Sequence, residues 1–401
     1  MIYGITGQKF MKKLSITITF FILPMVLTIV FITGCKTSTT PQSADCDTGY
    51  LPCDNNITEC CEVLCENLYH NCGDLMNECC IDTTSSTFIF QLDTIGLYGS
   101  YLNDIVIVDE NNIWVVGALS IDDTTLVYPT QINYNAAHWN GNEWEYQLIV
   151  NTAPLNGIFY FDEDDFWVIS GYPKHWDGEE WTNWLLHNYG IDVHLVDLWG
   201  NSSSNMYFVG WEGAIVYYDG SNFIQMESGT SVDLDLIVGS PDGNHVFAVG
   251  REPDDYALTN VLEFLNDSWN ILFSSDDPQS QTGYVFGIGL LNDTLYLTSS
   301  TGLWEYNYIT EELINIPDIP VDFETEIVKV IKAEQINDIL FIGAGFIYTH
   351  FNGHSYLTDR SILNLYTQRA SQGGDYKDDM LVMCGFFDSY GHALVARGYR
   401  Q

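Results

Sequence analysis

Positive charge is scarce in this chain: 13 lysines and arginines stand against 54 aspartates and glutamates, a formal net charge of −41 over 401 residues. So acidic a surface repels phosphate backbones and removes the attraction that dominates nucleic-acid binding. Catalytic signatures are missing too. No G-x-S-x-G elbow, H-E-x-x-H helix or P-loop occurs, and "FGIGLL" at residues 286–291 is not a dinucleotide fingerprint. The sequence thus offers no catalytic residue, no metal set and no cofactor motif. Cysteine is confined: of ten, all but Cys35 and Cys384 lie between Cys46 and Cys80. What is abundant is aromatic. With 25 Tyr, 21 Phe and 11 Trp the composition favours pleated, half-buried surfaces, and an all-β fold.

The one long apolar run is an address. From Met11 the chain reads "MKKLSITITFFILPMVLTIVFITGC": a lysine pair, an uncharged apolar stretch at residues 14–32, then small residues before Cys35. This is the layout of a cleaved secretory signal. Its end resembles the bacterial lipobox, and that resemblance implies that Cys35 carries the lipid and begins the mature protein. An uncleaved transmembrane anchor is the other reading, since the run is long enough to span. Residues 1–10 add nothing to the signal, so translation is expected to start at Met11. Residues 36–44, "KTSTTPQSA", read as a flexible tether. The expected location is the outside of a bacterial cell, lipid-anchored to the envelope at its outer membrane.

Eight cysteines then repeat with a period of 19: Cys46, Cys53, Cys60 and Cys61 recur as Cys65, Cys72, Cys79 and Cys80. This is an internal duplication. In an exported chain an even set over so short a stretch reads as a disulfide framework, for a piece too small to bury a core. Thiolate metal sites usually show closer C-x2-C or C-x4-C pairs, whereas the gap here is C-x6-C with adjacent doublets. The connectivity is open among 105 pairings for eight cysteines. Cys384, in "MLVMCGFF", reads as a small core residue.

The remainder is a repeat. "HWNGNEW" at residues 138–144 returns as "HWDGEEW" at 175–181, "YYDGSNF" at 217–223, "EFLNDSW" at 263–269 and "HFNGHSY" at 350–356. Asx-Gly between aromatics is a hairpin signal, because both residues tolerate positive φ. Upstream of each copy runs an apolar stretch ending in glycine, at Gly117, Gly171, Gly210, Gly250 and Gly343, with a further one at Gly385. Such runs suit strands covered on both faces. About twelve residues earlier stands a third element, such as "LNDIVIV" at 102–108 or "HLVDLWG" at 194–200. A seventh, degenerate copy begins at Leu295. The unit is four antiparallel strands, and the predicted fold is a seven-bladed β-propeller of four-stranded antiparallel blades over residues 87–401, preceded by the cysteine module at 46–81. The last unit runs out of chain before its outer strand. "TFIFQL" at 87–92 is predicted to supply that edge and close the ring.

Residues 197–220, "DLWGNSSSNMYFVGWEGAIVYYDG", resemble the "DIWGSSSNDVWAVG…HYDG" repeat of exported bacterial propeller proteins, themselves loosely similar to photosystem II assembly-factor-like propellers. The resemblance implies a fold and an exported location, and carries no mechanism. The copies lack the sialidase Asp-box and the Gly-His and Trp-Asp signature of WD40 blades. His138, His175 and His350 share one repeat position, which separates them around a ring and argues against a shared ion. Glu163, Asp164 and Asp165 read as a solvated turn. Trp211 and Glu212, in a loop after a buried strand, are the candidate ligand contacts, a platform for a sugar or peptide; packing of Trp211 on the next blade is the alternative. The long loop at residues 121–135, inserted within the first blade, is the best candidate contact surface, because insertions map to loops and loops carry function; a neutral surface excursion is the alternative. The functional expectation is a monomeric, non-enzymatic module binding a protein or glycan. The alternative is a polysaccharide-acting enzyme, which two buried carboxylates facing each other in the central channel would favour over a lining of Leu, Val and Gly.

Overall fold

The computed structural model describes residues 50–53, 56–62, 69–71, 79–81 and 84–401, except 124–129, 152, 253–257, 318, 322–325, 363–368 and 388–390. The signal segment, Cys35 and the tether lie outside the described residues. The chain divides into two units, residues 1–80 and 81–401.

In the first unit, Tyr50–Cys53 pairs with Asn56–Glu62 and Tyr69–Asn71 pairs with Cys79–Ile81. Tyr50 and Tyr69 stand 19 residues apart, as do Cys60 and Cys79, so the duplicated sequence writes the same hairpin twice. Cys46, Cys65 and Cys72 lie outside the described residues, and so do the side chains of Cys53, Cys60, Cys61, Cys79 and Cys80; the expected disulfide framework falls there.

The second unit is a series of four-stranded antiparallel sheets. The first holds Tyr101–Asp109, Asn112–Asp123, Thr130–Trp139 and Trp144–Gln147. The second holds Gly157–Asp162, Asp165–Ser170, Tyr172–Trp176 and Trp181–Asn183. Leu195–Ser202, Asn205–Gly210, Ile215–Tyr218 and Phe223–Met226 form the third, and Asp233–Gly239, Val246–Arg251, Thr259–Leu265 and Ser268–Ser274 the fourth. An eight-stranded sheet follows. Its two four-stranded halves begin at Val285–Leu291 and Val328–Gln335, joined by one parallel pair, Ile288 with Val330. The degenerate copy supplies the first of these halves, with strands Thr294–Ser299 and Gly302–Asn307. In the closing sheet, Arg369–Lys377, Met380–Phe387 and His392–Arg400 take their fourth strand from Phe88–Ile95. Residues 88–95 pair antiparallel with 393–400 along their full length, so the two ends of this unit share one ladder.

The glycine-terminated runs form the second strand of each sheet, and alternate residues face opposite neighbours. In the first sheet Ile113 and Val115 pack with Met380, Val382 and Val395 of the closing sheet, while Trp114 and Val116 pack with Phe166 and Val168 of the second. Trp167 and Ile169 then turn to Phe208 and Val216 of the third. A period of two with both faces apolar therefore produces a stack in which every sheet is core to two others. Each junction has its own apolar cluster, including the one that returns from the closing sheet to the first. Radial stacking of four-stranded sheets around an axis is the organisation of a β-propeller. Cys384 is fully buried in this core.

The repeated aromatic phrase is a turn, with one correction to the expected geometry. In four copies only the glycine has positive φ, at Gly141, Gly178, Gly220 and Gly353. The Asx before it accepts two backbone N–H bonds instead: Asp177 Oδ1 takes them from Glu179 and Glu180 at 3.0 and 2.8 Å, and Asp219 Oδ1 from Ser221 and Asn222 at 2.8 and 2.7 Å. The side chain stands in for a strand partner across the loop. Asn266-Asp267, which lacks the glycine, is the copy where both residues take positive φ, and there the loop shrinks to two residues between Leu265 and Ser268.

Candidate functional site

Innermost strands from every sheet surround a central cavity of about 1010 Å³. All of these strands but the second sheet's carry a bulge near the start, between Leu102 and Asp104, Leu195 and Asp197, Leu234 and Leu236, Val285 and Gly287, Val328 and Val330, and Ser371 and Gly373. A bulge brings an extra residue to the rim and bends the strand. It also explains two of the marking glycines. A Cβ on Gly210 would stand 1.9 Å from the His194 carbonyl oxygen, and one on Gly117 would stand 2.2 Å from that of Tyr101.

The bulged strands place carboxylates in the channel that the sequence reading did not single out. Asp104 accepts the Ile105 N–H through Oδ1 at 2.8 Å and, through Oδ2, the Ile158 N–H of the next sheet at 2.9 Å. Asp197 repeats the arrangement with Leu198 and, in the fourth sheet, Ile237, both at 2.9 Å. Asp375 of the closing sheet accepts the Ile107 N–H at 2.9 Å and pairs its other oxygen with Lys332 Nζ at 3.0 Å. Each of these carboxylates staples two inner strands. Burial pushes the Asp104 carboxyl up to about 6, against the pull of its two N–H donors. Burial and then the Asp104 charge push Asp197 up to about 8. The Asp375 charge outweighs burial at Lys332 and raises it. The signal was the aspartate inside "LNDIVIV" and "HLVDLWG", which only the bulge register identifies as channel-facing.

At the mouth formed by the N-terminal ends of the inner strands stands Trp211. It is 52% exposed, and one indole face is stacked on the His194 ring, centroids 3.9 Å apart. The turn holding it is tight. Glu212 is left-handed at φ 56°, Gly213 has φ 72°, and a Cβ on Gly213 would stand 2.1 Å from the Thr230 carbonyl oxygen. Trp211 N–H donates to the His194 carbonyl at 2.9 Å, and Glu212 N–H donates to Asp233 Oδ1 at 2.8 Å. The ring is half exposed at the channel rim, while its turn lies against the inner strand of the fourth sheet through Asp233. Glu212 is exposed beside it. Burial lowers His194 from the ordinary histidine range. Further round the rim, Arg251 is engaged with both oxygens of Asp235 and donates to the Phe286 carbonyl at 3.0 Å, with Glu252, Tyr284, Ile327 and Lys329 adjoining. Lys329 forms no ion pair among the described residues, and burial followed by the Arg251 charge lowers it.

The repeated histidines lie in separate networks, away from the channel. His175 Nε2 meets Asp165 Oδ1 at 2.9 Å and its ring stacks on Trp167 at 4.3 Å; Ser203 of the next sheet donates to Asp165 and accepts from Trp167 Nε1 at 2.8 Å. Asp165 is therefore part of a bridge between sheets, while Glu163 and Asp164 are exposed as expected. His138 meets Asn112 Oδ1 at 2.7 Å and stacks on Trp114. His350, fully buried, meets Asp338 at 2.8 Å and Ser86 Oγ at 2.7 Å. Among the described residues no group of three or more His, Cys, Asp or Glu is arranged to hold a metal ion. The hairpin at 121–135 is an extension of two strands, with Ile121 opposite Ile132 and Asp123 opposite Thr130; its tip lies outside the described residues.

No protein-family model matches the chain. A stretch of 105 residues is 29% identical to the immune protein Tsi7 of Pseudomonas aeruginosa, covering 26% of this chain and 31% of that protein, so the chain spans under a third of this relative's length. Solved structures similar to it are YCF48 bound to a D1 peptide (TM-score 0.56, 13% identity, 80% of this chain and 98% of that one), YCF48 from Cyanidioschyzon merolae (0.53, 13%, 76% and 98%) and the WD40 beta propeller domain of Doa1 (0.53, 13%, 79% and 98%). At such identity the likeness is one of fold. It defines the class: an all-β propeller of four-stranded antiparallel sheets.

Proposed function

We propose that this chain is an exported lipoprotein, anchored to the bacterial envelope through Cys35, whose seven-bladed propeller serves as a monomeric, non-enzymatic binding module for a protein or glycan. The leader at residues 1–34, the tether at 35–45 and the cysteine module at 46–81 then present the ring at 87–401 away from a membrane. An apolar cluster at each of seven junctions supports the blade count. A propeller similar in fold, YCF48, has been solved with a peptide bound.

One observation carries the binding reading: an open indole is fixed at the channel rim by a turn with no conformational slack, while the channel carboxylates are committed to backbone N–H groups. The test is affinity capture from intact envelopes with the Cys35-bearing chain and with Trp211→Ala. A partner retained by the first and lost by the second is expected. Capture identical in both removes the rim from consideration, and a Cys35→Ser chain that still fractionates with membranes removes the lipid anchor.

A second reading, a polysaccharide-acting enzyme, draws on Asp104 and Asp197. Both line the channel with carboxyls pushed upward, as general acids require. Turnover of an envelope polysaccharide that is abolished by Asp197→Asn, with folding retained, would replace the binding reading with this one.

A further inference from the structure

We propose that the rim at Trp211 takes a basic side chain, an arginine or lysine on an extended segment of a partner protein, stacked on the open face of the indole. This deepens the binding reading and rests on it.

Geometry supplies the first argument. Tryptophan is the best aromatic acceptor for a cation over its face, and here one face is covered by His194 while the ring remains 52% exposed. Local charge supplies the second. Asp233 has only Oδ1 assigned to the Glu212 N–H, and Glu252 adjoins on the same rim. Arg251, opposite Asp233 on the neighbouring strand, is already engaged in an ion pair with Asp235. Lys329 stands on the inner strand Val328–Gln335, and burial lowers it from the ordinary lysine range. Charge complementarity over the whole molecule is the third. A chain at −41 draws a basic partner toward itself from every side and repels an acidic one, so the collision rate favours the ligand that the indole selects. A glycan could stack on the same ring, but a neutral sugar draws nothing from the charge.

The probes are three eight-residue peptides, acetylated and amidated, identical except for two central arginines, glutamines or glutamates, plus a neutral tetrasaccharide. Each is titrated calorimetrically into the purified protein at low and moderate salt. The arginine peptide is expected to bind most tightly and to weaken roughly tenfold in Trp211→Ala, the scale set by a desolvated cation–π contact. Trp211→Phe should retain part of the affinity, and Asp233→Asn should weaken it. Glu110→Gln, an exposed acid in a different turn, is the control for general attraction and should leave it unchanged. Equal or tighter binding of the glutamine peptide or the sugar overturns the proposal, as does arginine binding indifferent to Trp211→Ala, or none at millimolar concentration. Envelope capture separates the two levels: a Trp211-dependent partner held without any basic segment leaves the binding module standing and removes only the basic ligand.

Discussion

Replacing Phe88 by alanine tests whether the N-terminal strand is structural to the ring or merely laid on its edge. Phe88 is 7% exposed, meets the Tyr348 ring edge-on at 5.5 Å and the Tyr376 ring at 6.3 Å, and lies 5.0 Å below the Arg400 guanidinium. Truncating a buried phenylalanine costs about 3–5 kcal/mol, from lost transfer energy plus the cavity left behind. The site is at a sheet's outer strand, where neighbours can partly collapse, so about 3 kcal/mol is expected. Ile89 is the internal control. It sits on the same strand, faces outward and is 52% exposed, so Ile89→Ala should cost at most about 1 kcal/mol through strand propensity. Equilibrium urea unfolding followed by tryptophan fluorescence reads both, and the comparison depends on the difference rather than on either extrapolation. If Phe88→Ala costs no more than Ile89→Ala, the strand contributes nothing to the cooperative core and the closure argument fails. Removal of residues 87–92 should then also leave the melting temperature unmoved, whereas a ring closed by this ladder loses several degrees.

Gly210→Ala should destabilise by about 1–3 kcal/mol or more, since its Cβ would meet the His194 carbonyl at 1.9 Å; thermal melting checks it, and a neutral result would show that the bulge can move. Asp165→Ala leaves the His175 and Ser203 partners unmatched between two sheets and should cost about 1–3 kcal/mol, more than Asp164→Ala in the same turn, by urea unfolding. The folded Asp197 carboxyl, raised to about 8, binds a proton that the unfolded chain has released above about 4. Its contribution is therefore fully present below pH 4 and is lost as pH rises toward 8. Asp197→Asn should flatten the stability profile across that window, and an unchanged slope would refute the assignment.

The repeat was legible because its parts answer to local rules. Asx-Gly marks a turn, an unbroken apolar run marks a strand with two covered faces, and an orphan strand at one end answers a missing strand at the other. Even the degenerate copy at Leu295 could be placed by spacing. The channel was not legible. Asp104 and Asp197 are two of 54 acids, and what sets them apart is a one-residue bulge that aims them at backbone N–H groups of the next sheet. Hydrophobic period says nothing of that. From sequence Asp165 reads as a solvated turn residue, because its partner, Ser203, is 38 positions away in another sheet. Trp211 stands out in the sequence by its place after a buried strand, yet its exposure depends on Glu212 and Gly213 adopting left-handed conformations and on His194 arriving just ahead of the inner strand Leu195–Ser202.

The shared ladder of residues 88–95 and 393–400 also decides how the ring meets mechanical load. Tension applied to the segment just ahead of Phe88 meets the ladder at the pair Phe88–Arg400, its first rung. Before it arrives there, it meets a clamp. Thr84 donates to the Asn337 carbonyl at 2.7 Å, Ser86 meets the buried His350 at 2.7 Å, and Arg400 donates to the Ser85 carbonyl. A chain tugged from that end would transmit force into the second half of the eight-stranded sheet through Asn337 and His350, and into the closing strand through Arg400, before the first rung of the ladder opened, so the seam that closes the ring is shielded by the residues just ahead of it.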